Sequence, residues 1–454
     1  MQNQTENKMG VMPVGKLLFN MSAPLVASML FQALYNIVDS VFVARLGQDA
    51  MNAVSLAFPL QTLLIAFAAG TGVGINALLS RSLGARNREQ ADRAANTGIF
   101  LYILTALFFL LLGICFSGIY YRLQTQNQRI IDYGTAYISV CLGCSFAVFG
   151  QICGERLLQA TGRTDLAMIP QIVGAVLNMI LDPIMIFGLL GFPRLEVMGA
   201  AIATVCGQVV ATVIGFVLNI KKNTEIHISL KLIRFHGRTA AEIYKVGIPS
   251  IIMQSIGSFM NFGLNKILIG FTEAATAVFG AYYKIQSFIF LPVFGMNNAI
   301  VPIISYNYGA GNIKRYKDTM KYGILAAMSI MTVGTILFET MPGFLLGLFS
   351  PSEEMLEVGK TAFRIIGIHF PVAGFCIVAG SVCQALRKPV YTMIVSICRQ
   401  LVILLPVAYL LSRTGRLELI WFAFLIAEVF SLIMNIFFLR SALSYADTTI
   451  KTRT

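Results

Sequence analysis

Charged residues are scarce in this chain: Asp, Glu, Lys and Arg together make up 12% of its 454 residues. Soluble domains typically contain about 25% charged residues, so this composition disfavours a water-soluble globular protein. Hydrophobic residues account for 57% of the sequence, and the mean hydropathy is +0.75. The formal net charge of +13 would suggest nucleic-acid binding in a soluble protein. Here the basic residues lie in short segments between apolar runs, so the charge indicates membrane topology instead.

Motifs of nucleotide hydrolysis and of catalysis are also missing from the sequence. Without a Walker phosphate-binding loop, ATP is not expected as a direct energy source. G-x-S-x-G, H-E-x-x-H and Asp-rich prenyl-diphosphate motifs are absent, which disfavours an intramembrane enzyme. The glycines from Gly70 to Gly74 resemble a phosphate-loop fragment, but they lie in an apolar run and predict close helix packing.

The eight cysteines do not indicate a disulfide framework, because all of them lie inside or at the ends of apolar runs. Buried reduced thiols are expected instead. Cys141 and Cys144 have C-x-x-C spacing, but no second pair or nearby His accompanies them, so no metal or redox site is predicted. The first apolar stretch is too long for a cleaved signal peptide and is interpreted as a retained span.

Long apolar runs are the main feature of the sequence, and each is long enough to cross a bilayer as a helix. There are twelve, at approximately 17–44, 53–79, 96–118, 134–154, 166–190, 199–219, 243–270, 277–305, 323–349, 361–383, 391–411 and 418–439. Barrel strands would instead alternate over about ten residues. The sequence therefore predicts an all-α integral membrane protein. Alternate connections receive 23 and 8 Lys and Arg residues, and the basic side, which includes both termini, is predicted to be cytoplasmic.

An internal repeat becomes visible when the sequence is shifted by 225 residues, which pairs Pro24 with Pro249 and Gly98 with Gly323. No gap is needed between residues 24 and 168, and the best local match sets residues 80–87 against 305–312. Six spans per half is an even number, so both halves enter the membrane in the same direction. This predicts a parallel repeat around a pseudo-twofold axis along the membrane normal.

The repeat predicts three regions: an N-terminal six-helix lobe over residues 1–219, a cytoplasmic linker over 220–242, and a C-terminal six-helix lobe over 243–454. Two such lobes suggest a cleft that can open to either face of the membrane. This architecture is typical of transporters.

Ionisable residues inside the first lobe's spans are functional candidates, because burying a charge in a membrane is costly. Asp39 and Asp182 lie in spans one and five, and no Lys or Arg lies inside this lobe's spans, so a cation or proton is the expected partner. Asn178 is four residues before Asp182 and projects from the same helix face. Pro183 is expected to kink that helix, and Thr204 can add a hydroxyl. The structural alternative is that these side chains only bridge helices through hydrogen bonds.

The second lobe has no Asp in its spans. Its ionisable candidates include Lys266, Lys284, Arg399, Glu339, Glu428 and His369. Glu428 and Arg399 are predicted to form a structural pair between spans twelve and eleven. His369 is predicted to be structural and Lys266 to extend toward the membrane surface. For Lys284, a surface role and a role as a cleft charge are equally consistent with its position.

Taken together, these segments resemble the multidrug and toxic compound extrusion (MATE) family over almost the whole chain. The resemblance rests on Pro24 through Asp39, Leu83–Asn87, Leu158–Gly162, Asn178–Pro183 and Gly199–Thr204. It implies an exporter of organic, mostly cationic or amphipathic compounds, driven by inward H⁺ or Na⁺ through alternating access in a bacterial inner membrane. We further expect a monomer in contact with membrane lipids, without enzymatic activity, cofactor or nucleic-acid partner.

The resemblance further implies a first-lobe site for H⁺ or Na⁺, formed by Asp39, Asn178, Asp182 and Thr204. Our own mechanistic hypothesis is that Pro183 lets span five bend. One branch of the family instead places acidic residues in spans seven and ten. Here those spans offer Gln254 and His369, so the chain is more similar to the DinF-type bacterial branch.

Polar and Met side chains are the candidates for contact with the transported compound, since Met adapts to varied shapes. They are Tyr35, Asn36 and Gln61 with their repeat mates Met260, Asn261 and Gln286. Helix-to-helix contact is an equally common role for such residues. A related flippase for a lipid-linked saccharide or other amphiphile is the alternative function, supported by Lys284 and Arg399 but not by the first lobe. A receptor or channel is a third class, which would not accumulate a solute against a gradient.

Overall fold

The computed structural model describes residues 7–349 and 351–452, and these residues form helices and connections but no strand. Twelve helices or helix groups, α1 to α12, correspond one to one to the predicted spans. They are α1 Val14–Ala44, α2 Gln48–Gly84, α3 Arg88–Gln124, α4 Gln128–Gly143 with Ser145–Ala160, α5 Thr164–Phe187, α6 Glu196–Lys222, α7 Gly237–Leu268, α8 Glu273–Gly309, α9 Ile313–Thr340, α10 Glu353–Gly367 with Phe370–Ala385, α11 Pro389–Ser412 and α12 Leu417–Lys451. The prediction of an all-α membrane protein is confirmed. Arg453, which was counted on the basic side, lies outside the described residues.

Nine of the described helices are long and apolar enough to cross a membrane, and eleven are if each bent pair counts as one span. The two bent pairs are α4, with an angle of 44°, and α10, with an angle of 47°. Helix α7 does not reach the same apolarity, because polar side chains such as Gln254 and Asn261 recur along it.

Large apolar side chains cover much of the protein surface. On α3, for example, Phe108, Leu111 and Ile114 are 54%, 60% and 69% exposed. An apolar surface of this extent is rare on soluble proteins. A lipid bilayer solvates such side chains, and helices satisfy their own backbone hydrogen bonds within it.

Contacts divide the described chain into two compact units. The first unit consists of Asn7 and Ala23–Ile251, and the second consists of Lys8–Ser22 and the residues from Ile252 onward. Helices α1 and α7 are therefore each shared between the units, and each carries a proline, Pro24 or Pro249, within two residues of the division. The predicted lobe boundaries come from the sequence repeat, whereas the two units are defined by contacts in the structure. The lobe boundaries therefore stay a prediction.

Within the first unit, the segment between α6 and α7 packs against α3. The side-chain amide of Asn96 donates to the His227 carbonyl at 2.8 Å, and the His227 N–H donates to Asp92 Oδ1 at 2.7 Å. Arg81 of α2 forms an ion pair of 2.7 Å with Glu242 of α7. Residues of the predicted linker therefore contact helices α2 and α3 of the first unit through hydrogen bonds and an ion pair.

The repeat is visible in equivalent hydrogen bonds of the two units. Ser80 of α2 donates to the Ala160 carbonyl at the end of α4 at 2.7 Å. Ser305 of α8 donates to the Ala385 carbonyl at the end of α10 at 3.5 Å. Both members of the second pair lie 225 residues after those of the first. The offset found in the sequence thus relates positions with the same structural role.

Left-handed backbone positions also recur at the repeat offset. After α2 the left-handed residue is Arg86, with φ 56°, and its mate after α8 is Gly311, with φ 74°. After α4 it is Gly162, with φ 84°, and its mate after α10 is Arg387, with φ 67°. Glycine adopts this conformation without steric cost, whereas arginine does not. Each unit therefore has one favourable and one strained residue at equivalent turns.

One packing contact is reversed between the units. Gly113 of α3 faces Leu142 of α4 so closely that a Cβ on the glycine would lie 2.6 Å from Leu142 Cβ. Their mates are Phe338 of α9 and Gly367 of α10, where a glycine Cβ would lie 2.8 Å from Phe338 Cβ. Both pairs combine one glycine with one large side chain, but on opposite helices. In both units, the combination of one glycine and one large side chain sets the distance between the two helices, whichever helix carries the glycine.

Candidate functional site

A cluster of oxygen-bearing side chains lies between α5 and α6 of the first unit. Asn178 and Asp182 are one helical turn apart on α5, and both are buried, at 2% and 0% exposure. The Asn178 amide nitrogen donates to Asp182 Oδ1 at 3.2 Å and to Thr204 Oγ1 on α6 at 3.1 Å. The amide nitrogen of Asn178 faces Asp182 because the amide NH₂ group donates hydrogen bonds and a carboxyl oxygen accepts them. Asn178 thus holds a carboxylate and a hydroxyl from two helices in one place.

Small residues allow α5 and α6 to approach closely enough for these contacts. A Cβ added to Gly174 of α5 would lie 2.9 Å from the Gly207 carbonyl of α6. A Cβ added to Gly199 of α6 would lie 2.5 Å from the Met185 carbonyl of α5. Close approach at small residues is the usual packing mode of membrane helices. The two contacts flank Asn178 and Asp182 along α5.

Three oxygens of the cluster are buried without a hydrogen-bond partner among the described residues. They are Asp39 Oδ1, Asn178 Oδ1 and Asp182 Oδ2. Asp39 is on α1, half-buried, and within electrostatic range of Asp182. Buried polar atoms are normally paired, and an unpaired one costs about 1–3 kcal/mol, more if it is charged. The arrangement offers oxygen acceptors from three side chains to a proton or a small hard cation.

Pro183 does not interrupt α5, which continues to Phe187. Proline has no backbone N–H, so the carbonyl of Met179 lacks its usual helical donor. The bending role expected of Pro183 stays a prediction.

A third buried acid, Glu155, was missed in the sequence. It is 7% exposed, and its Oε1 accepts from Gln151 Nε2 at 2.9 Å on the second segment of α4. Glu155, Asp39 and Asp182 all lie within electrostatic range of Tyr35. The predicted span four ended at residue 154, one residue too early to include it, whereas α4 continues to Ala160. The signal that could have found it is the apolar pair Leu157 and Leu158, which extends the helical pattern beyond it.

The first unit's candidate substrate residues have different surroundings. Gln61 of α2 donates to the Tyr137 hydroxyl of α4 at 3.0 Å, which is a helix-to-helix contact. Asn36 is exposed on α1, and Tyr35 is half-buried beside Gln32.

In the second unit, a cavity of about 350 Å³ is lined by residues of α7, α8, α10, α11 and α12. Met260 and Gln286, two of the candidate substrate residues, line it. Asn261 is not among the lining residues, and its Oδ1 is buried without a hydrogen-bond partner in the described part of the chain.

The predicted ion pair of the second unit is confirmed. Arg399 Nη1 of α11 lies 3.1 Å from Glu428 Oε2 of α12. His369 is buried, its ring packs against Phe370 and Phe424, and its Nδ1 bonds the Ile366 carbonyl. Since a carbonyl only accepts, Nδ1 carries a proton.

Both lysines of the second unit's spans are exposed. Lys266 lies near the end of α7. The Lys284 ammonium lies 5.8 Å from the centre of the Phe349 ring, a distance that permits a cation–π interaction.

Comparison with known proteins finds similarity along most of the chain. The MatE family model matches residues 24–184 and again 249–410, so the two matches begin at the repeat offset. A FAD transporter of Shewanella oneidensis is 27% identical over 403 residues, which is 88% of each chain. The multidrug export protein MepA of Staphylococcus aureus is 27% identical over 418 residues, 92% of this chain and 91% of that protein.

Solved structures agree with these matches. An outward-facing structure of a multidrug resistance MATE family transporter of the MOP superfamily has a TM-score of 0.92 and 26% identity. The alignment covers 99% of this chain and 100% of that one. Because the family model matches well over half of its residues, in two copies that coincide with the internal repeat, the chain belongs to the MATE family of multi-pass membrane transporters.

Proposed function

We propose that the protein is an antiporter that exports organic, mostly cationic or amphipathic compounds in exchange for inward movement of H⁺ or Na⁺. The observation that carries the proposal is the set of three buried, unpartnered oxygens on Asp39, Asn178 and Asp182. A buried carboxylate without a positive partner is strongly disfavoured, and binding a proton or a cation relieves that cost. The described contacts of these three residues include no Lys or Arg.

Asn178 gives the site a specific chemistry. Because both hydrogens of its amide are donated, to Asp182 and to Thr204, its oxygen is directed away from them and stays free as an acceptor. With Asp39 and Asp182 this makes two carboxylates and one amide oxygen, a ligand set that suits a hard cation. A proton would serve the same atoms in another way. Protonation of one carboxylate removes one negative charge from the site and provides an O–H that can donate to a neighbouring oxygen.

Coupling requires that the ion and the exported compound favour different conformations of the transporter. Asp39 and Asp182 lie on different helices, α1 and α5, so an ion shared between them favours the conformation in which these helices are close. We infer that a compound which separates the two helices competes with the ion. Pro183, directly after Asp182, weakens the helix where such bending would occur.

The substrate range is proposed from the relatives. One similar protein is named for multidrug export and another for FAD transport, so related chains are named for different substrates. A flippase of lipid-linked saccharides is less well supported, because the described contacts of the first unit's cluster include no Lys or Arg that could meet a phosphate, and Lys284 of the second unit is exposed. We further propose a bacterial inner-membrane location with both termini cytoplasmic, from the distribution of Lys and Arg.

The test is uphill transport of the organic cation ethidium in proteoliposomes, driven first by a pH gradient and then by a Na⁺ gradient. The natural chain is expected to accumulate ethidium under at least one gradient, and Asp39→Asn is expected to abolish this accumulation. Asp132→Asn is the matched control, since Asp132 is an exposed carboxylate of the first unit that accepts from Gln128. Full accumulation by the Asp39→Asn variant would contradict the proposal, as would no accumulation of any tested organic compound under either gradient.

A further inference from the structure

The second unit has a cavity with features of a binding site that the proposed coupling chemistry does not use. Its volume of about 350 Å³ falls within the range of small-molecule sites, roughly 300–1,000 Å³. Aromatic rings form a large part of its wall, contributed by Phe279, Tyr282, Tyr283, Phe290, Phe294 and Phe424. Planar aromatic compounds are the natural occupants of such a wall.

The charged groups of this cavity differ strongly in accessibility. Glu428 has 3% of its side chain exposed, and its second oxygen, Oε1, is buried without a partner among the described residues. The Arg399 side chain is 35% exposed and lines the cavity. Its hydrogen bond to Glu428 uses Nη1, and a guanidinium carries five N–H donors in all. A ligand entering the cavity therefore meets the cation of the pair rather than the anion.

Uncharged hydrogen-bond donors in the cavity wall also favour an acidic ligand. Asn297 Oδ1 accepts from the Ser381 hydroxyl, so the NH₂ group of Asn297 is left to donate at the cavity wall. Tyr282 is 1% exposed, and its hydroxyl has no partner in the described part of the chain. Tyr282 also lies within electrostatic range of both Arg399 and Glu428. An unsatisfied buried hydroxyl beside a guanidinium is a further donor for an acidic ligand.

The backbone of α11 is modified where Arg399 lies. Residues Cys398–Leu404 form a π-helix of seven residues, and Arg399, Gln400 and Leu404 of this segment line the cavity. π-Helical turns are rare and occur frequently at functional sites. The wider turn presents both Arg399 and Gln400 to the same cavity, although they are adjacent in sequence.

We propose that the second unit's cavity binds planar aromatic carboxylates, with the aromatic wall packing on the ring system and Arg399 binding the carboxylate. Glu428 neutralises Arg399 when no ligand is present and holds the guanidinium in position. Carboxylates suit a guanidinium because two parallel N–H···O bonds can form. The proposal rests on the proposed function in one respect, that the bound compound is an exported one.

Binding can be measured directly because the chain has a single tryptophan, Trp421. Trp421 is fully buried and lies in α12, three residues before Phe424 of the cavity wall. Energy transfer from Trp421 to anthracene reports binding of 9-anthracenecarboxylate, and 9-anthracenylmethylammonium is its cationic counterpart. The full chain is used in detergent, without any ion gradient. The acid is expected to bind at least about tenfold more tightly than the amine, as one charge-assisted hydrogen bond would give.

Charge-neutralising variants separate the contribution of Arg399 from general hydrophobic binding. Arg399→Gln is expected to weaken acid binding by about tenfold, whereas Glu428→Gln removes the competing anion and is expected to tighten it by up to about tenfold. Lys284→Gln is the matched control, because it removes the same charge at an exposed position that does not line the cavity. The double variant, Arg399→Gln with Glu428→Gln, leaves no unpaired buried charge and serves if Arg399→Gln does not fold.

Tighter binding of the amine than of the acid would overturn the proposal. So would equal acid affinity in the double variant and in Glu428→Gln, since the two differ only in Arg399. Because no gradient is involved, acid binding without gradient-driven accumulation of any tested organic compound would contradict the proposed function and leave the cavity assignment standing.

Discussion

The two units of this transporter share a backbone pattern but differ in where they place charge. In the first unit Asp39 and Asp182 are acids whose described contacts include no cation. In the second unit the buried acid, Glu428, is paired with Arg399. Equivalent serine hydrogen bonds and left-handed turns persist through the repeat. A duplicated fold can thus preserve its helix packing while one copy keeps unpaired acids and the other balances its acid internally.

This comparison predicts that neutralising a carboxylate has its largest effect on transport in the first unit. Asp182→Asn is expected to abolish gradient-driven ethidium accumulation, because it removes one of the two carboxylates of the cluster. Glu339→Gln neutralises a half-buried acid of α9 in the second unit and is expected to retain accumulation. Transport in proteoliposomes checks both variants. Loss of coupling in Glu339→Gln with retention in Asp182→Asn would reverse the assignment of the units.

The same comparison predicts the opposite order for stability. Arg399→Gln leaves Glu428 buried without its partner, and leaving a buried polar group unsatisfied costs about 1–3 kcal/mol, more when the group is charged. Asp182→Asn removes a buried carboxylate that has no positive partner among its described contacts, so unfolding should be unchanged or more difficult. Thermal unfolding in detergent measures both. Restoration of stability by adding Glu428→Gln to Arg399→Gln would identify the unpaired acid as the cause, and failure to restore it would point to lost packing.

Equivalent glycines allow a comparison of packing rigidity. A Cβ on Gly134 would lie 1.9 Å from the Tyr121 ring, whose hydroxyl is fixed by a 2.7 Å hydrogen bond to the Ala53 carbonyl. A Cβ on its mate, Gly359, would lie 2.6 Å from the flexible end of Leu346. Gly134→Ala is therefore expected to destabilise the protein by about 1–3 kcal/mol, and Gly359→Ala by less. Thermal unfolding of the two variants checks the order, and an equal or reversed order would show that Tyr121 can move.

The smallest expected effect concerns the left-handed turns. Arg387→Gly should stabilise the protein by up to about 1 kcal/mol by relieving strain, and Gly162→Ala should destabilise it by a similar amount. Unfolding midpoints in detergent measure both changes. Destabilisation by Arg387→Gly would mean that contacts of the arginine outweigh its backbone strain.

The sequence predicted the twelve helices, the repeat offset and the Arg399–Glu428 pair, because each depends on patterns of hydrophobicity, charge or local spacing. It also placed Asn178 and Asp182 on one face of α5, since residues four apart meet on a helix. It did not predict the Asn178–Thr204 bond, which depends on how closely α5 and α6 approach.

Other features depend on long-range packing that local patterns do not record. Glu155 was missed because a charged residue was taken to end an apolar run, although the helix continues around it. Gln61 was equally consistent with a cleft wall and with the helix contact it makes to Tyr137. The cavity of the second unit was not predicted, since it needs side chains from five helices and a π-helical segment.

The reversed pair formed by Gly113 with Leu142, and by Phe338 with Gly367, constrains the evolutionary route between the two halves. If the halves descend from one duplicated segment, two substitutions were needed to exchange the glycine and the large residue. Passing through two large residues would force the helices apart, whereas passing through two glycines would leave a void of the kind that costs about 2–5 kcal/mol. The second route only loosens the contact. An ancestor with two small residues at this position, tolerated because stability elsewhere was sufficient, accounts for both present-day arrangements.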